Sequence, residues 1–302
     1  MRPSFRHRLV NLIHSALLLG GMALISGVAT AALAGPVTGL WVLAGLCIGL
    51  LFAPAAPKEM LLRLYGARPL GPREFPLGVE LARRIAERAD LPRPPTLHYL
   101  PSRAPNAFAL GGREDSAIAV SDGLLRMMDR REFAGVLAHE IAHVANGDLW
   151  IMALADTMTR ATALLSQIGQ IVLFVNLPLF LMGAVTIPWI VPIVLILAPV
   201  AMSLLQLALS RAREFDADRG AAQLTGDPMG LASALSKLER RTGRLWEELV
   251  MPGRRIPEPS ILRTHPPTED RIERLKELSD GRDDTPPAQR PLRVTRRLEP
   301  VI

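Results

Sequence analysis

Two long stretches of this chain carry no charge at all. No Asp, Glu, Lys or Arg occurs between Arg8 and Lys58, and none between Arg160 and Arg211. Each stretch is about 50 residues, roughly 75 Å if drawn as one helix. The hydrocarbon core of a bilayer is about 30 Å thick, so each stretch accommodates two spans and a tight turn. The first predicts a break at Gly35-Pro36. The second predicts a break near Thr186–Trp189, with Asn176 and Pro178 as another turn. The pattern thus predicts four transmembrane helices in two hairpins, within residues 1–57 and 161–210.

The remaining sequence has shorter periods. Phe75 to Ala89 ("FPLGVELARRIAERA") has the apolar spacing of a helix. "PTLHYLP", "NAFALGG" and "SAIAVS" are short runs bounded by Pro, Gly and Ser, and read as strands of a small sheet. "DGLLRMMDRREFAGVLAHEIAHVANG" predicts one or two helices, with Asp122 as N-cap and Gly147 as stop. Helices are expected over Leu205 to Leu224 and Pro228 to Arg241, and another begins after the prolines of "HPPTEDRIERLKEL". The segment 281–302 is Pro-, Arg- and Asp-rich without apolar periodicity, so it is expected to be a disordered tail. The second hairpin is therefore an insertion in an α+β, mostly helical domain made of 58–160 and 211–280. Residues on its two sides must meet for that domain to have a core.

Composition sharpens this picture. The chain has 302 residues, is 49% hydrophobic and has a mean hydropathy of +0.22. The basic "MRPSFRHR" and Ala32-Leu33-Ala34 resemble a cleaved signal peptide, but the apolar stretch from Leu9 to Ala34 exceeds the usual h-region of about 7–15 residues. Retention as a span is the expectation. Arg2, Arg6 and Arg8 precede the first hairpin, and Lys58, Arg63, Arg68 and Arg73 follow it. Arg160 precedes the second; Arg211 and Arg213 follow it. Neither turn carries Lys or Arg, so both termini and the polar domain should be cytoplasmic. Trp41 and Trp189 lie near the turns, where interfacial indoles sit well.

The net charge of +6 and pI near 10.3 point to the lipid surface and not to nucleic acid. The arginines are scattered or juxtamembrane, with no aromatic-interleaved basic stretch. A single cysteine, Cys47, in an apolar span excludes a disulfide framework and a Cys-based metal site.

Candidate chemistry lies in "VLAHEIAHVANGD", Val136 to Asp148. On a helix, His139 and His143 share one face and can present two imidazole nitrogens to one cation. Glu140 is turned by about 100°, which suits a group reaching a metal-bound water better than a ligand. The flanks are apolar, and two histidines plus a glutamate buried without partners would be costly. Zinc in a catalytic site takes three protein ligands and keeps a fourth position for water. The extension HExxHxxGxxH fails, because Asn146 stands at the glycine and Leu149 at the third histidine.

"SRAREFDADRGAA" supplies a third ligand. Glu214 and Asp218 are four apart on one helical face. Glu214 is an oxygen donor, and Asp218 could accept a hydrogen bond from the far nitrogen of a ligating histidine. Arg211, Arg213 and Asp216 read as a solvated charged face.

Two spans, HExxH, two further spans and then a glutamate in "REFDAD" resemble the HtpX-type membrane zinc metallopeptidases, gluzincins related to the CAAX prenyl proteases. The resemblance extends to about Leu278 and includes "NAFALGG" (Asn106 to Gly112), "GVLAHEIAHVANGD" and "THPPTEDRIERL" (Thr264 to Leu275). It implies a gluzincin-like zinc peptidase fold with one Zn2+ per chain, ligated by His139, His143 and Glu214, with Glu140 as base. It also implies substrate pairing along Asn106, Ala107 and Phe108, and a cleft lined by His265 and Arg271. His265, held extended before two prolines, and Arg271 are candidate donors to the oxyanion. The implied role is endoproteolysis of damaged or misfolded membrane proteins at the cytoplasmic face of a bacterial inner membrane. The alternative is a non-catalytic membrane scaffold with a structural metal. A transporter is disfavoured because no span carries a charged residue.

Overall fold

The computed structural model describes residues 5–52, 58–184, 187–249 and 268–281. The chain divides into two units, Met1–Pro54 with Trp150–Ser210, and Ala55–Leu149 with Arg211–Ile302.

The first unit is helical. Helix α1 (Phe5–Ala34) ends at Gly35, whose φ of 89° lets the chain turn, and α2 (Pro36–Phe52) begins on the following proline, a favoured first helical residue. The break expected at Gly35-Pro36 is therefore where it was read. Small residues bring the two helices together: a Cβ at Gly39 would stand 2.5 Å from the Cβ of Ala31. In a lipid phase such close backbone approach drives helix pairing. Helix α7 (Asp148–Leu181) and helix α8 (Ile190–Thr225) form the second hairpin. Its turn is clasped by Asn176, whose amide donates to the Ile187 carbonyl and accepts from the Ile187 N–H, both at 2.8 Å. Pro178 lies inside α7 and is not the turn.

Among the described residues, three helices are long and apolar enough to cross a membrane: the Ser15–Ala34 part of α1, α7 and α8. Four spans were expected, but α2 has only 17 residues. Leu19, Met22 and Ala23 of α1 pack with Ala155 and Met158 of α7 and with Met202 and Leu209 of α8.

The second unit holds a four-stranded sheet in the order β1 (Arg68–Pro69), β2 (Thr96–Leu100), β4 (Ser116–Ser121), β3 (Ala107–Gly111). β2 and β4 are parallel and the other pairs antiparallel. The three runs read as strands are β2, β3 and β4; the two-residue β1 is too short to leave a pattern. Every residue of the central β4 is buried. Its Ile118 and Val120 belong to the main core, with Phe133, Leu137 and Ile141 of helix α6 (Arg130–Asn146) and Leu81 and Ile85 of helix α4 (Pro76–Arg88). Its Ala117 and Ala119 face the other way and receive Leu62 of helix α3 (Lys58–Leu64).

The stretch after β4 forms two helices, α5 (Asp122–Met127) and α6. The N-cap of α5 is Ser121, not the expected Asp122, because the Ser121 hydroxyl accepts from the Leu124 N–H. Asp129 and Glu132 form a reciprocal capping box at the start of α6, and Gly147 ends it in the left-handed conformation. Helix α8 runs unbroken from the membrane hairpin through Glu214 and Asp218. Helix α9 (Pro228–Leu249) is longer than expected, and helix α10 (Thr268–Ser279) closes the unit. Of the tail expected to be disordered, 281–302, all but Gly281 lies outside the described residues.

Candidate metal centre

Helix α6 carries both histidines on one face and is fixed at several points. Glu132 is buried and accepts hydrogen bonds at 2.6 Å from Ser233 and from Lys237 of α9. Gly135 allows α9 to approach: a Cβ there would lie 2.8 Å from the Leu231 backbone nitrogen. Gly220 does the same for α8, since its Cβ would lie 2.9 Å from that of Ala142. These contacts bring the HExxH turn of α6 beside the Glu214 turn of α8.

His139, His143 and Glu214 each direct one donor atom to a common point, all within 4.8 Å of one another. The two Nε2 atoms are 3.2 Å apart. His139 Nε2 lies 3.3 Å from Glu214 Oε2, and His143 Nε2 lies 3.6 Å from Glu214 Oε1. His139 Nδ1 faces Asp218 Oδ1 at 3.0 Å, and His143 Nδ1 donates to Asp148 Oδ2 at 2.9 Å. A carboxylate beside Nδ1 keeps the proton there and leaves Nε2 as a lone pair. With both rings neutral, two lone pairs and a carboxylate face one another in a buried site, a donor set that a metal cation can share. Tetrahedral zinc with bonds of about 2.0–2.1 Å needs neighbouring donors about 3.3–3.4 Å apart. The two Nε2 atoms stand at about that separation, each has a Glu214 oxygen at 3.3 or 3.6 Å, and the donor types suit zinc.

The electrostatics agree. Burial opposes charge on either imidazole. The Asp218 and Glu214 carboxylates outweigh burial at His139, and Asp148 and Glu214 outweigh it more strongly at His143, so both pKa values lie above the ordinary histidine value. The site draws positive charge inward.

Glu140 is buried on the same helix, next to the first histidine in sequence and about 100° around the axis from it. Arg271, read as an oxyanion donor, lies beside the three donors. Its Nε and Nη2 donate to the two oxygens of Asp218 at 2.7 and 2.6 Å, and Nη1 lies 3.0 Å from Glu214 Oε2. Burial disfavours its charge, but Asp218, Glu214 and Glu140 hold its pKa above the usual arginine value. The guanidinium is taken up by carboxylates. His265 lies outside the described residues.

Arg213 also departs from expectation. It is buried, not solvated, with Nη1 3.1 Å from Asp148 Oδ1. Asp148 itself was not singled out, although it closes the HExxH segment. Each histidine is thus backed by an aspartate, and each aspartate by an arginine.

β3 is an edge strand among the described residues. The Asn106 N–H donates to Ser121 Oγ at 2.7 Å and its carbonyl accepts from the Ser121 N–H at 2.9 Å. Hydrogen-bonded pairs alternate along an antiparallel ladder. Phe108 and Leu110 therefore also turn their main-chain groups to β4, while Ala107 and Ala109 turn theirs to the open side. Of the three residues expected to pair with substrate, Ala107 is the one whose main-chain groups turn away from β4.

The profile of peptidase family M48 matches residues 79–279. A protease HtpX homolog of Burkholderia ambifaria is 37% identical over 270 residues, covering 80% of this chain and 90% of the relative. That of Salinibacter ruber is 37% identical over 238 residues, covering 74% and 81%. That of Acaryochloris marina is 39% identical over 235 residues, covering 73% and 78%. Peptidases of this family are zinc-dependent in general, and this chain has the His-His-Glu group that could hold the ion. The resemblance read from HExxH and the later glutamate thus holds over most of the chain, which belongs to peptidase family M48 and is a membrane metalloprotease.

Proposed function

We propose that this chain cleaves damaged or misfolded membrane proteins at the cytoplasmic face of a bacterial inner membrane, with one zinc ion held by His139, His143 and Glu214. The observation that carries the reading is the convergence of those three donors within 4.8 Å of one another, each imidazole with a carboxylate beside its Nδ1. When bound, zinc polarises the scissile carbonyl and makes water acidic enough to be deprotonated near neutral pH.

The chain's own residues do the rest. Glu140 takes a proton from the attacking water and passes it to the amine nitrogen as the C–N bond breaks. Ala107 and Ala109 hold the substrate as an added strand through main-chain hydrogen bonds, which tolerate many sequences. Asp218 keeps the His139 proton on Nδ1, and Arg271 holds Asp218 and Glu214 in place. His265 is retained as the oxyanion donor on the strength of the resemblance.

The test is metal analysis with casein cleavage on detergent-purified protein. Glu140→Ala should keep the metal and lose turnover by at least about 100-fold. Full proteolysis by metal-loaded Glu140→Ala would overturn the assignment.

A further inference from the structure

Large apolar side chains that are more than a third exposed crowd the membrane unit, as expected of surfaces meeting lipid. In the catalytic unit, among the described residues, they are confined to Met60 (67%), Leu64 (73%) and Tyr65 (45%). All three lie on or directly after α3. A contiguous exposed apolar patch on an otherwise polar unit marks an interaction surface.

The geometry of α3 explains the exposure. At about 100° per residue, Met60 and Leu64 fall within about 40° of each other and about 160° from Leu62. Leu62 is buried against Ala117 and Ala119. The helix thus uses one side to grip the sheet and offers the other side outward.

Chain length names what lies there. Five residues separate Phe52, the end of the apolar helix α2, from Lys58, the start of α3. Their reach is at most about 20 Å, so α3 cannot leave the neighbourhood of the bilayer surface that receives α2. Exposed Glu59 and Arg63 flank the apolar face, so its fit to the headgroup layer rests on Met60 and Leu64. We propose that α3 lies in the headgroup layer of the same bilayer, with Met60 and Leu64 in lipid and Leu62 holding the sheet. The proposal rests on the first hairpin lying in that bilayer.

A consequence follows for substrates. The Tyr65 ring lies 5.2 Å from that of Phe108 on β3. The open edge strand is therefore carried on the same side of the unit as the lipid-facing helix. The polypeptide class that fits is one reaching β3 along the membrane surface, as the segments flanking a span do.

The test uses the full chain with Cys47 replaced by Ala, reconstituted in liposomes containing anionic lipid. Nitroxides are attached in turn at Met60→Cys, Leu64→Cys, the exposed Arg84→Cys and Phe174→Cys on α7. Labels at positions 60 and 64 should meet oxygen more than a water-soluble nickel chelate, at a depth of about 5–10 Å. The label at 84 should meet the chelate and the one at 174 oxygen. Water-exposed labels at 60 and 64 beside a lipid-exposed 174 would overturn the proposal alone. A water-exposed 174 would overturn the membrane reading and the proposal with it. Labels at 60 and 64 shielded from both quenchers would mean a protein contact, from residues 250–267 or a second chain, and would also overturn it.

Discussion

Asp148 lies between Arg213 and the second histidine, taking Arg213 Nη1 at 3.1 Å on one oxygen and His143 Nδ1 at 2.9 Å on the other. The arginine orients the carboxylate, and the carboxylate orients the imidazole. Asp148→Asn should weaken metal affinity by about 10–100-fold, the usual cost of losing a partner behind a ligand. Arg213→Met should act in the same direction, and competition with a chromophoric chelator measures both. Unchanged affinity in Asp148→Asn would show that His143 needs no support.

Glu214→Ala should abolish or severely weaken metal binding, because it removes one of the three donors. Asp218→Asn should be milder, again about 10–100-fold in affinity. Equal loss in the two variants, read by metal content after dialysis, would make Asp218 a ligand.

Arg271 separates two roles by stability. A guanidinium that only met the transition state could be removed without harm to the fold. Arg271→Ala would instead leave two carboxylates buried without their cation, at a cost of about 3–5 kcal/mol. Thermal unfolding should therefore shift strongly downward, and an unchanged midpoint would show that these ion pairs carry no stability.

Burial raises the pKa of Glu132, but Lys237, Ser233 and the Asp129 N–H together hold it below the ordinary 4.5. A depressed folded-state pKa contributes stability that is complete above the unfolded value and is lost as pH falls through the folded one. Wild type should therefore lose stability more steeply than Glu132→Gln as pH drops below 4.5. Parallel unfolding curves for the two proteins over that range would contradict the shift.

A cytoplasm-active reporter fused after Arg73 or after Gly281 should be active, and one fused in either hairpin turn should not. Activity of a periplasm-type reporter after Arg73 would reverse the proposed face.

Most of the helices, strands β2 to β4 and the His-Glu-His spacing were legible because each rests on a period within one element, whereas the short α3 and β1 were not. Glu214 and Asp218 were legible for the same reason, being one turn apart on α8. Asp148 was not. It begins α7 after the left-handed Gly147, so its return to His143 follows no helical spacing. Arg213 looked solvated because a charge after a span usually is, and only the fold supplies Asp148 as its partner. Arg271 was placed in the cleft by the family resemblance alone; its ion pairs with Asp218 and Glu214, more than 50 residues earlier, follow no spacing that the sequence displays. The length of α2 could not be read either, since an uncharged run does not show where its last helical turn lies.

The hairpin of α7 and α8 lies between the histidines and Glu214, and this orders events during synthesis. A ribosome delivers His139 and His143 first, then two long apolar helices, and only then the third donor. A chain halted before Glu214 holds a histidine pair with no carboxylate to complete it. If His139, His143 and Glu214 hold the metal as proposed, the centre cannot be complete until the second hairpin has been made, an order set by the position of that hairpin in the chain.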